Sequence, residues 1–287
     1  MIGLERVRVE GQVRFGVAEL IPDRLRGSGW IIAVDGVAQS YVDLQDPGYL
    51  KMPFSDWIGQ TIDRHWPSGD AVSALFVGGG GFTLPRYLAA ARPGSGQLVF
   101  ELDGPLVELV REHLELDAVP GLEVRVQDGR AGVEGALDDS ADLVVLDAFR
   151  AGDVVTELAT VEFLTEVSRV LRPGGLYAAN VWDAADLGFA LRVVASVREV
   201  FEHVLVIAEP GVLLRRRAGN VVVVASTRAL PREELVDWAA TAQNRVCCLT
   251  PKQLAAVSGT AAPLTEAAPL TNQVPPVQRW GFGSRFD

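Results

Sequence analysis

The chain has 287 residues, and its 48% hydrophobic content is enough for a sizeable core in one large domain or in a main domain with a smaller one attached. Its 37 Asp and Glu residues outnumber its 26 Lys and Arg residues, so the net charge is −11 and a broad nucleic-acid-binding surface is not expected. An acidic chain is compatible with a cationic substrate, although acidity more often reflects solubility.

The cysteines and histidines indicate neither a disulfide framework nor a metal site. Cys247 and Cys248 are adjacent, which is typical of a protein in a reducing compartment. The three histidines are scattered, and no residue stands at zinc-ligand spacing from a cysteine. No apolar run approaches the roughly 18 residues of a membrane helix, and the first twelve residues carry charges instead of a signal-peptide core. We therefore expect a cytoplasmic protein without a membrane or nucleic-acid partner.

The N-terminal part of the chain is predicted to form β-structure. Apolar and polar residues alternate there as in half-buried strands. Two apolar segments within residues 30–44 flank Asp35-Gly36, a strong signal for a two-residue hairpin turn. Over residues 53–66 the apolar residues recur at helical spacing, which predicts a helix. Because the β-pattern ends where this helix begins, we predict a small N-terminal β domain over residues 1–52.

The following segment alternates strands and helices, which predicts a mainly parallel sheet with helices on both faces. Strands are predicted at residues 74–77, 98–101, 123–126, 143–146, 176–181, 204–208 and 221–225. Helices are predicted at residues 84–91, 106–116, 161–171 and 185–200. We assign residues 53–230 to this α/β domain, and residues 231–287 to a C-terminal helix with a Pro- and Ala-rich tail.

The first strand of the α/β domain ends in four glycines, Gly78, Gly79, Gly80 and Gly81. A strand, a glycine loop and a helix together bring a nucleotide close to backbone N–H groups at a helix N-terminus. The match to the dinucleotide pattern G-x-G-x-x-G is incomplete, because Thr83 stands in the third place. No Lys follows the glycines as in a phosphate-binding P-loop, so a nucleoside without phosphates fits better than a nucleotide.

Four acidic residues stand at or just beyond the ends of successive strands, namely Glu101, Asp128, Asp147 and Asp183. Ligands of open α/β sheets bind at the carboxyl ends of the strands, so this series favours a site over simple turn formation. Glu101 would accept hydrogen bonds from a ribose diol. Asp128 would accept one from an adenine amino group, and Gly129 would let the base approach. Asp147 would face the reacting end of the ligand.

Several segments carry a family resemblance. Those of the α/β domain are Phe76-Val-Gly-Gly-Gly-Gly81, Phe100-Glu-Leu-Asp103, Val126-Gln-Asp-Gly-Arg130, Val144-Val-Leu-Asp-Ala-Phe149 and Leu171-Arg-Pro-Gly-Gly-Leu176. The others are Val34-Asp-Gly-Val-Ala-Gln39, Thr160-Val-Glu-Phe-Leu164 and the tail segment 268–277. Together they resemble the spermidine synthases, which are polyamine aminopropyltransferases, and more loosely all class I AdoMet-dependent methyltransferases.

The resemblance implies an α/β fold with a Rossmann-like sheet of the AdoMet-methyltransferase type, a small N-terminal β domain and a homodimer. It also implies decarboxylated AdoMet as co-substrate, no tightly bound cofactor, and attack of a diamine nitrogen on the carbon next to the sulfonium, with methylthioadenosine as product. Asp147 is then the candidate catalytic residue. The candidate ligand-contacting residues are Gln39, Gly78, Gly79, Gly80, Glu101, Asp128 and Gly129.

The sequence departs from the family pattern at two acidic positions of the α/β domain and at two of the tail motif, which are Asn272 and Gln273. Gly81 stands where the family carries an acid in the glycine loop, and Arg150 stands where Asp-x-x-Asp supplies the expected general base. An arginine about 4 Å from an ammonium would cost on the order of 4 kcal/mol at an effective dielectric near 20. Two alternatives therefore stay open: a methyltransferase that uses AdoMet itself, and a non-catalytic nucleoside-binding or scaffold protein.

Overall fold

The computed structural model describes residues 7–150, 153–242, 245–259 and 261–268. Its first four strands form an antiparallel sheet in the order β1-β2-β3-β4, called here the N-terminal sheet. These strands are β1 (Val9–Val13), β2 (Gly16–Pro22), β3 (Gly29–Val34) and β4 (Val37–Asp43). The predicted hairpin turn joins β3 to β4, and Asp35 and Gly36 both have positive φ angles, 49° and 76°, as a tight two-residue turn requires.

The second and larger sheet occupies the centre of the α/β part. The later strands are β5 (Ser73–Val77), β6 (Gly96–Glu101), β7 (Leu122–Val126), β8 (Ala141–Leu146), β9 (Phe149–Arg150), β10 (Asp153–Val154), β11 (Leu171–Asp183), β12 (His203–Ala208), β13 (Gly219–Ser226) and β14 (Cys247–Leu249). Within the described ranges, β9 and β10 pair with each other and the rest form one sheet in the order β14-β12-β13-β11-β8-β5-β6-β7. Strands β11, β8, β5, β6 and β7 run parallel, whereas β12, β13 and β14 pair antiparallel.

Helices cover both faces of the large sheet, as predicted. They are α1 (Pro53–His65), α2 (Thr83–Ala91), α3 (Gly104–His113), α4 (Gly129–Glu134), α5 (Val161–Val170), α6 (Gly188–Val200), α7 (Pro210–Leu213), α8 (Arg232–Thr241) and α9 (Pro251–Ser258). Helices α1, α2, α3 and α8 pack with the N-terminal sheet in one apolar core, and α4, α5, α6 and α9 form the other. None of these helices is both long and apolar enough to cross a membrane. The domain boundaries at residues 52 and 230 stay predictions.

The C-terminal end of α1 is held by a buried arginine. Arg92 is 1% exposed, and its guanidinium donates hydrogen bonds of 2.8 to 3.2 Å to the backbone carbonyls of Ile62, Trp66, Pro67 and Asp70. The cation lies where the helix dipole is negative, so charge and hydrogen bonding act together. Because the following turn leads into β5, this side chain fixes the entry to the glycine-loop strand.

Replacing Arg92 with Met is expected to lower the free energy of unfolding by about 3 kcal/mol, because four backbone carbonyls, that of Ile62 fully buried, lose their donor. Urea denaturation measures the effect. Arg125→Met is the matched control, since Arg125 is an exposed residue on β7 whose guanidinium pairs, among the described residues, with Glu123. That variant is expected to change stability by less than about 0.5 kcal/mol. Equal effects of the two substitutions would contradict this account of Arg92.

Candidate functional site

A cavity of about 550 Å³ opens at the carboxyl ends of β5, β6 and β8, against the N-terminal sheet and the first turn of α1. Parallel sheets bind ligands at this edge. The lining includes the candidate catalytic residue and all candidate ligand-contacting residues, namely Gln39, Gly78, Gly79, Gly80, Glu101, Asp128, Gly129 and Asp147. The structure therefore brings these residues together in one place, while the role of each stays a prediction.

The glycine loop follows β5 so closely that side chains are excluded from its first positions. Gly78 has a φ of +97°, and a Cβ there would overlap the backbone carbonyl of Asp147. A Cβ on Gly79 would lie 2.8 Å from the ring of Phe82. The loop backbone thus runs directly against the end of β8, and its N–H groups donate to Phe100, Glu101 and Ser40 within the protein.

Glu101, the last residue of β6, is bonded to this loop. Its Oε2 accepts hydrogen bonds from the backbone N–H groups of Gly79 (2.7 Å) and Gly80 (3.3 Å), and its Oε1 accepts one from that of Asp103 (2.8 Å). A carboxylate has about four lone-pair sites, so these three bonds leave one, on Oε1, for a ribose hydroxyl. Glu101 therefore also fixes the shape of the glycine loop, a second task that its position at the end of a strand does not reveal in the sequence.

Asp128 and Gly129 likewise have structural tasks that the sequence analysis missed. Asp128 is the N-cap of α4, where its Oδ1 accepts a 3.0 Å hydrogen bond from the N–H of Ala131. A Cβ on Gly129 would overlap the side chain of Val77, so the glycine lets α4 begin beside β5. Both residues line the cavity from this fixed position.

The fourth acid of the predicted series does not belong to the cavity, so that part of the prediction is wrong. Asp183 is 1% exposed, and its two oxygens accept hydrogen bonds of 2.6 Å from the N–H groups of Ala184 and Ala190. It ties the end of β11 to the first turn of α6. An acid that caps a helix and an acid that binds a ligand look alike in the sequence, and only the contacts separate them.

Asp147 follows β8 and belongs to a short chain of amides. Its Oδ1 accepts a 2.9 Å hydrogen bond from Nδ2 of Asn180, and Oδ1 of Asn180 accepts one of 2.9 Å from Nδ2 of Asn220. Burial raises the pKa of Asp147 to about 6, although the bond from Asn180 acts in the opposite direction. A carboxyl with this pKa is an anion at neutral pH and is a stronger base than an exposed aspartate.

The electrostatic character of the cavity is negative. Its acidic lining residues are Asp35, Glu101, Asp103, Asp128 and Asp147. Among the described residues, no Lys, Arg or His joins this lining, and no group of three or more His, Cys, Asp or Glu side chains is arranged to hold a metal ion. The site therefore attracts a cation and offers no counter-charge to an anionic group.

The glycine at the family's acidic position is closely packed. Its N–H donates a 2.8 Å hydrogen bond to Oγ of Ser40. A Cβ on Gly81 would lie 2.7 Å from that oxygen and 2.8 Å from Cδ1 of Ile32. Space for a carboxylate is therefore already filled from the N-terminal sheet. At the second departure, the backbone of Arg150 pairs with that of Asp153; their side chains lie outside the description, as does the tail motif beyond Ala268.

Comparison with known proteins supports the resemblance. No family model matches the chain. A probable spermidine synthase from Corynebacterium glutamicum ATCC 13032 is 29% identical and superposes with a TM-score of 0.82, covering 94% of this chain and 100% of that one. A probable polyamine aminopropyl transferase of Bifidobacterium longum is 30% identical over 112 residues, which are 39% of this chain and 24% of the relative. This chain thus spans about a quarter of that relative.

A more distant likeness concerns the fold alone. A spermidine synthase in complex with the transition-state analogue AdoDATO is 17% identical, with a TM-score of 0.58, and covers 87% of this chain and 82% of that one. The α/β fold with a mostly parallel sheet and an antiparallel N-terminal sheet is therefore confirmed. The sequence-based resemblance is confirmed as well.

Proposed function

We propose that this chain, a spermidine-synthase-like protein of the AdoMet-methyltransferase-type fold, transfers an aminopropyl group from decarboxylated AdoMet to an amine. The observation that carries the proposal is the combination of a glycine loop with five carboxylates and no described basic residue in one cavity. Decarboxylated AdoMet carries a sulfonium and an ammonium, and both charges suit this lining. AdoMet itself adds a carboxylate, for which the described lining offers no cation.

The nucleoside would bind at the ends of β6 and β7. Glu101 would accept a hydrogen bond from a ribose hydroxyl on the lone pair that Oε1 still has free, and Asp128 would accept one from the adenine amino group. These two residues would thus bind the adenosine moiety that decarboxylated AdoMet and methylthioadenosine share.

The reaction would take place beside Asp147. The acceptor nitrogen forms a bond to the carbon next to the sulfonium, the C–S bond breaks, and the sulfur keeps the electron pair as methylthioadenosine leaves. An acceptor amine is an ammonium at neutral pH, so it has to lose a proton before its nitrogen can attack. Asp147, with a pKa raised to about 6, would attract the ammonium and accept that proton.

The direct test is release of methylthioadenosine by the purified protein from decarboxylated AdoMet, with putrescine, cadaverine, spermidine and monoamines as acceptors. Release that depends on an amine is expected, and no release above background with any amine would overturn the proposal. Calorimetric titration separates the alternatives. Tighter binding of AdoMet and its demethylated product than of methylthioadenosine indicates a methyltransferase, and nucleoside binding without turnover indicates a binding protein.

Glu101→Gln is expected to weaken methylthioadenosine binding by about 10- to 100-fold, because a charge-assisted hydrogen bond to the ribose is lost and the amide group opposes the loop N–H groups. Titration calorimetry measures the change. Glu123→Gln is the matched control, since Glu123 lies exposed on the neighbouring strand β7 outside the cavity. Unchanged affinity in Glu101→Gln would remove Glu101 from the nucleoside site.

A further inference from the structure

We infer that the acceptor is a primary amine with a single cationic end and an apolar body, such as an alkylamine or arylalkylamine, in preference to a di- or polyamine. The inference rests on the proposed function and concerns the other half of the same cavity. It follows from how the lining divides between the two substrates and from where its charges lie.

The cavity has two unlike sides. The ends of β6 and β7 contribute the acids Glu101 and Asp128, which the adenosine moiety would occupy. The N-terminal sheet and α1 form the opposite side, called here the acceptor wall. Its apolar members are Phe15, Val34, Val37 and Phe54. With the nucleoside in place, the remaining space is therefore bounded mainly by hydrocarbon.

The carboxylates are distributed unequally between the two sides. Glu101, Asp103 and Asp128 lie at the ends of β6 and β7, and each accepts hydrogen bonds from backbone N–H groups there. Among the described residues of the acceptor wall, the acid is Asp35, which stands at the exposed hairpin tip and accepts a 2.9 Å hydrogen bond from the N–H of Val17. An exposed carboxylate holds a cation weakly, because water screens the pair.

Apart from Asp35 at the exposed hairpin tip, the described polar side chains of the acceptor wall are neutral. Oγ of Ser40 already accepts a hydrogen bond from the N–H of Gly81, and Gln39 contributes an uncharged amide group. A diamine would have to place its second ammonium against this surface, and burying a charge without a counter-ion is unfavourable. A monoamine meets no such penalty. Its ammonium would lie at Asp147, and its hydrocarbon would pack against the phenylalanines and valines.

The experiment compares amines of equal length in the methylthioadenosine-release assay with decarboxylated AdoMet. For the wild-type chain, kcat/KM for n-hexylamine is expected to exceed that for 1,6-diaminohexane by at least about tenfold. It is also expected to rise by up to about fourfold per CH₂ from n-butylamine to n-hexylamine. Higher kcat/KM for the diamine overturns the inference and leaves the proposed function intact. Absence of methylthioadenosine with every amine overturns the proposed function, and the inference with it.

A charge placed in the acceptor wall provides a second test. Val37→Asp puts a carboxylate there at a half-buried position at the start of β4, and it is expected to raise the ratio of diamine to monoamine kcat/KM by at least about tenfold. Val236→Asp is the control, because Val236 is 39% exposed on α8 and outside the cavity. The ratio should not change in the control. An unchanged ratio in a folded Val37→Asp protein would count against the inference.

Discussion

Asp147→Asn is expected to lower kcat for aminopropyl transfer by about 10²- to 10⁴-fold, the range lost when a general base is removed. The amide keeps the shape of the side chain, and its oxygen can still accept the hydrogen bond from Asn180. It can neither attract the acceptor ammonium nor take its proton. Steady-state release of methylthioadenosine measures the loss, and activity within threefold of wild type would exclude Asp147 as the base.

The same substitution is expected to stabilise the chain at neutral pH. The pKa of Asp147 is raised from 3.8 to about 6, so the native state binds its proton more tightly than the unfolded state does. The free energy of unfolding therefore falls as the pH rises from about 4 to about 6, and it stays lower above that range. The amide that replaces the carboxylate carries no charge, so the variant should gain on the order of 1 to 3 kcal/mol at pH 7 and nothing below about pH 4. Urea titrations at both pH values test this sign.

The pH dependence of turnover provides a separate test of the amide chain behind Asp147. In the free protein, kcat/KM should rise with pH through about 6 as Asp147 loses its proton. Asn180→Leu removes the hydrogen bond that favours the carboxylate over the neutral acid. The midpoint of the rise of kcat/KM with pH should therefore shift to higher pH by about one unit. Asn220→Val, which removes only the donor to Asn180, should give a smaller shift in the same direction. If the rise of kcat/KM with pH has the same midpoint in both variants as in the wild type, the two asparagines do not influence the pKa of Asp147.

The sequence was sufficient to predict which residues gather at this cavity, because parallel strands present their carboxyl ends at one edge. The glycines after β5 and the acids after β6, β7 and β8 line it together, whereas Asp183 does not, because β11 continues beyond the end of β8 and its last residue caps α6. Asn180 and Asn220 could not be found in this way. They lie within apolar strands, and their contact with Asp147 depends on β11 lying between β8 and β13. No local pattern specifies that neighbourhood.

Other misses concern short elements. Helix α9 begins with a capping box, in which Thr250 and Gln253 bond each other's backbone and Pro251 follows the cap. This signal was visible in the sequence but was overlooked beside an Ala-rich segment. Strand β14 has three residues, too few for a periodic pattern, and it forms because it pairs with β12. Helix α6 begins at Gly188 instead of at the predicted residue 185, because the carboxylate of Asp183 accepts hydrogen bonds from the N–H groups of Ala184 and Ala190 and holds the intervening turn.

Gly81→Asp, which puts a carboxylate at the position where the resembled spermidine synthases carry an acid, is expected to destabilise the chain by about 1 to 3 kcal/mol. The new Cβ would lie 2.7 Å from Oγ of Ser40, 2.8 Å from Cδ1 of Ile32 and 3.1 Å from Cγ1 of Val42. A carboxylate pressed against these side chains would also lose hydration, which adds to the loss. Gly27→Asp is the control, because a Cβ there meets no atom within 4 Å.

The double variant Gly81→Asp with Ser40→Gly separates crowding from charge. Removing the Ser40 side chain frees the nearest contact of the new Cβ, so about half of the lost stability or more should return if crowding is the cause. Chemical denaturation of the two single variants and the double variant gives the coupling. If the single Gly81→Asp variant is as stable as wild type, the loop has room for the acid, and its absence reflects substrate choice alone. If the coupling is found, the side chain of Ser40 on the N-terminal sheet is what keeps a carboxylate out of the glycine loop.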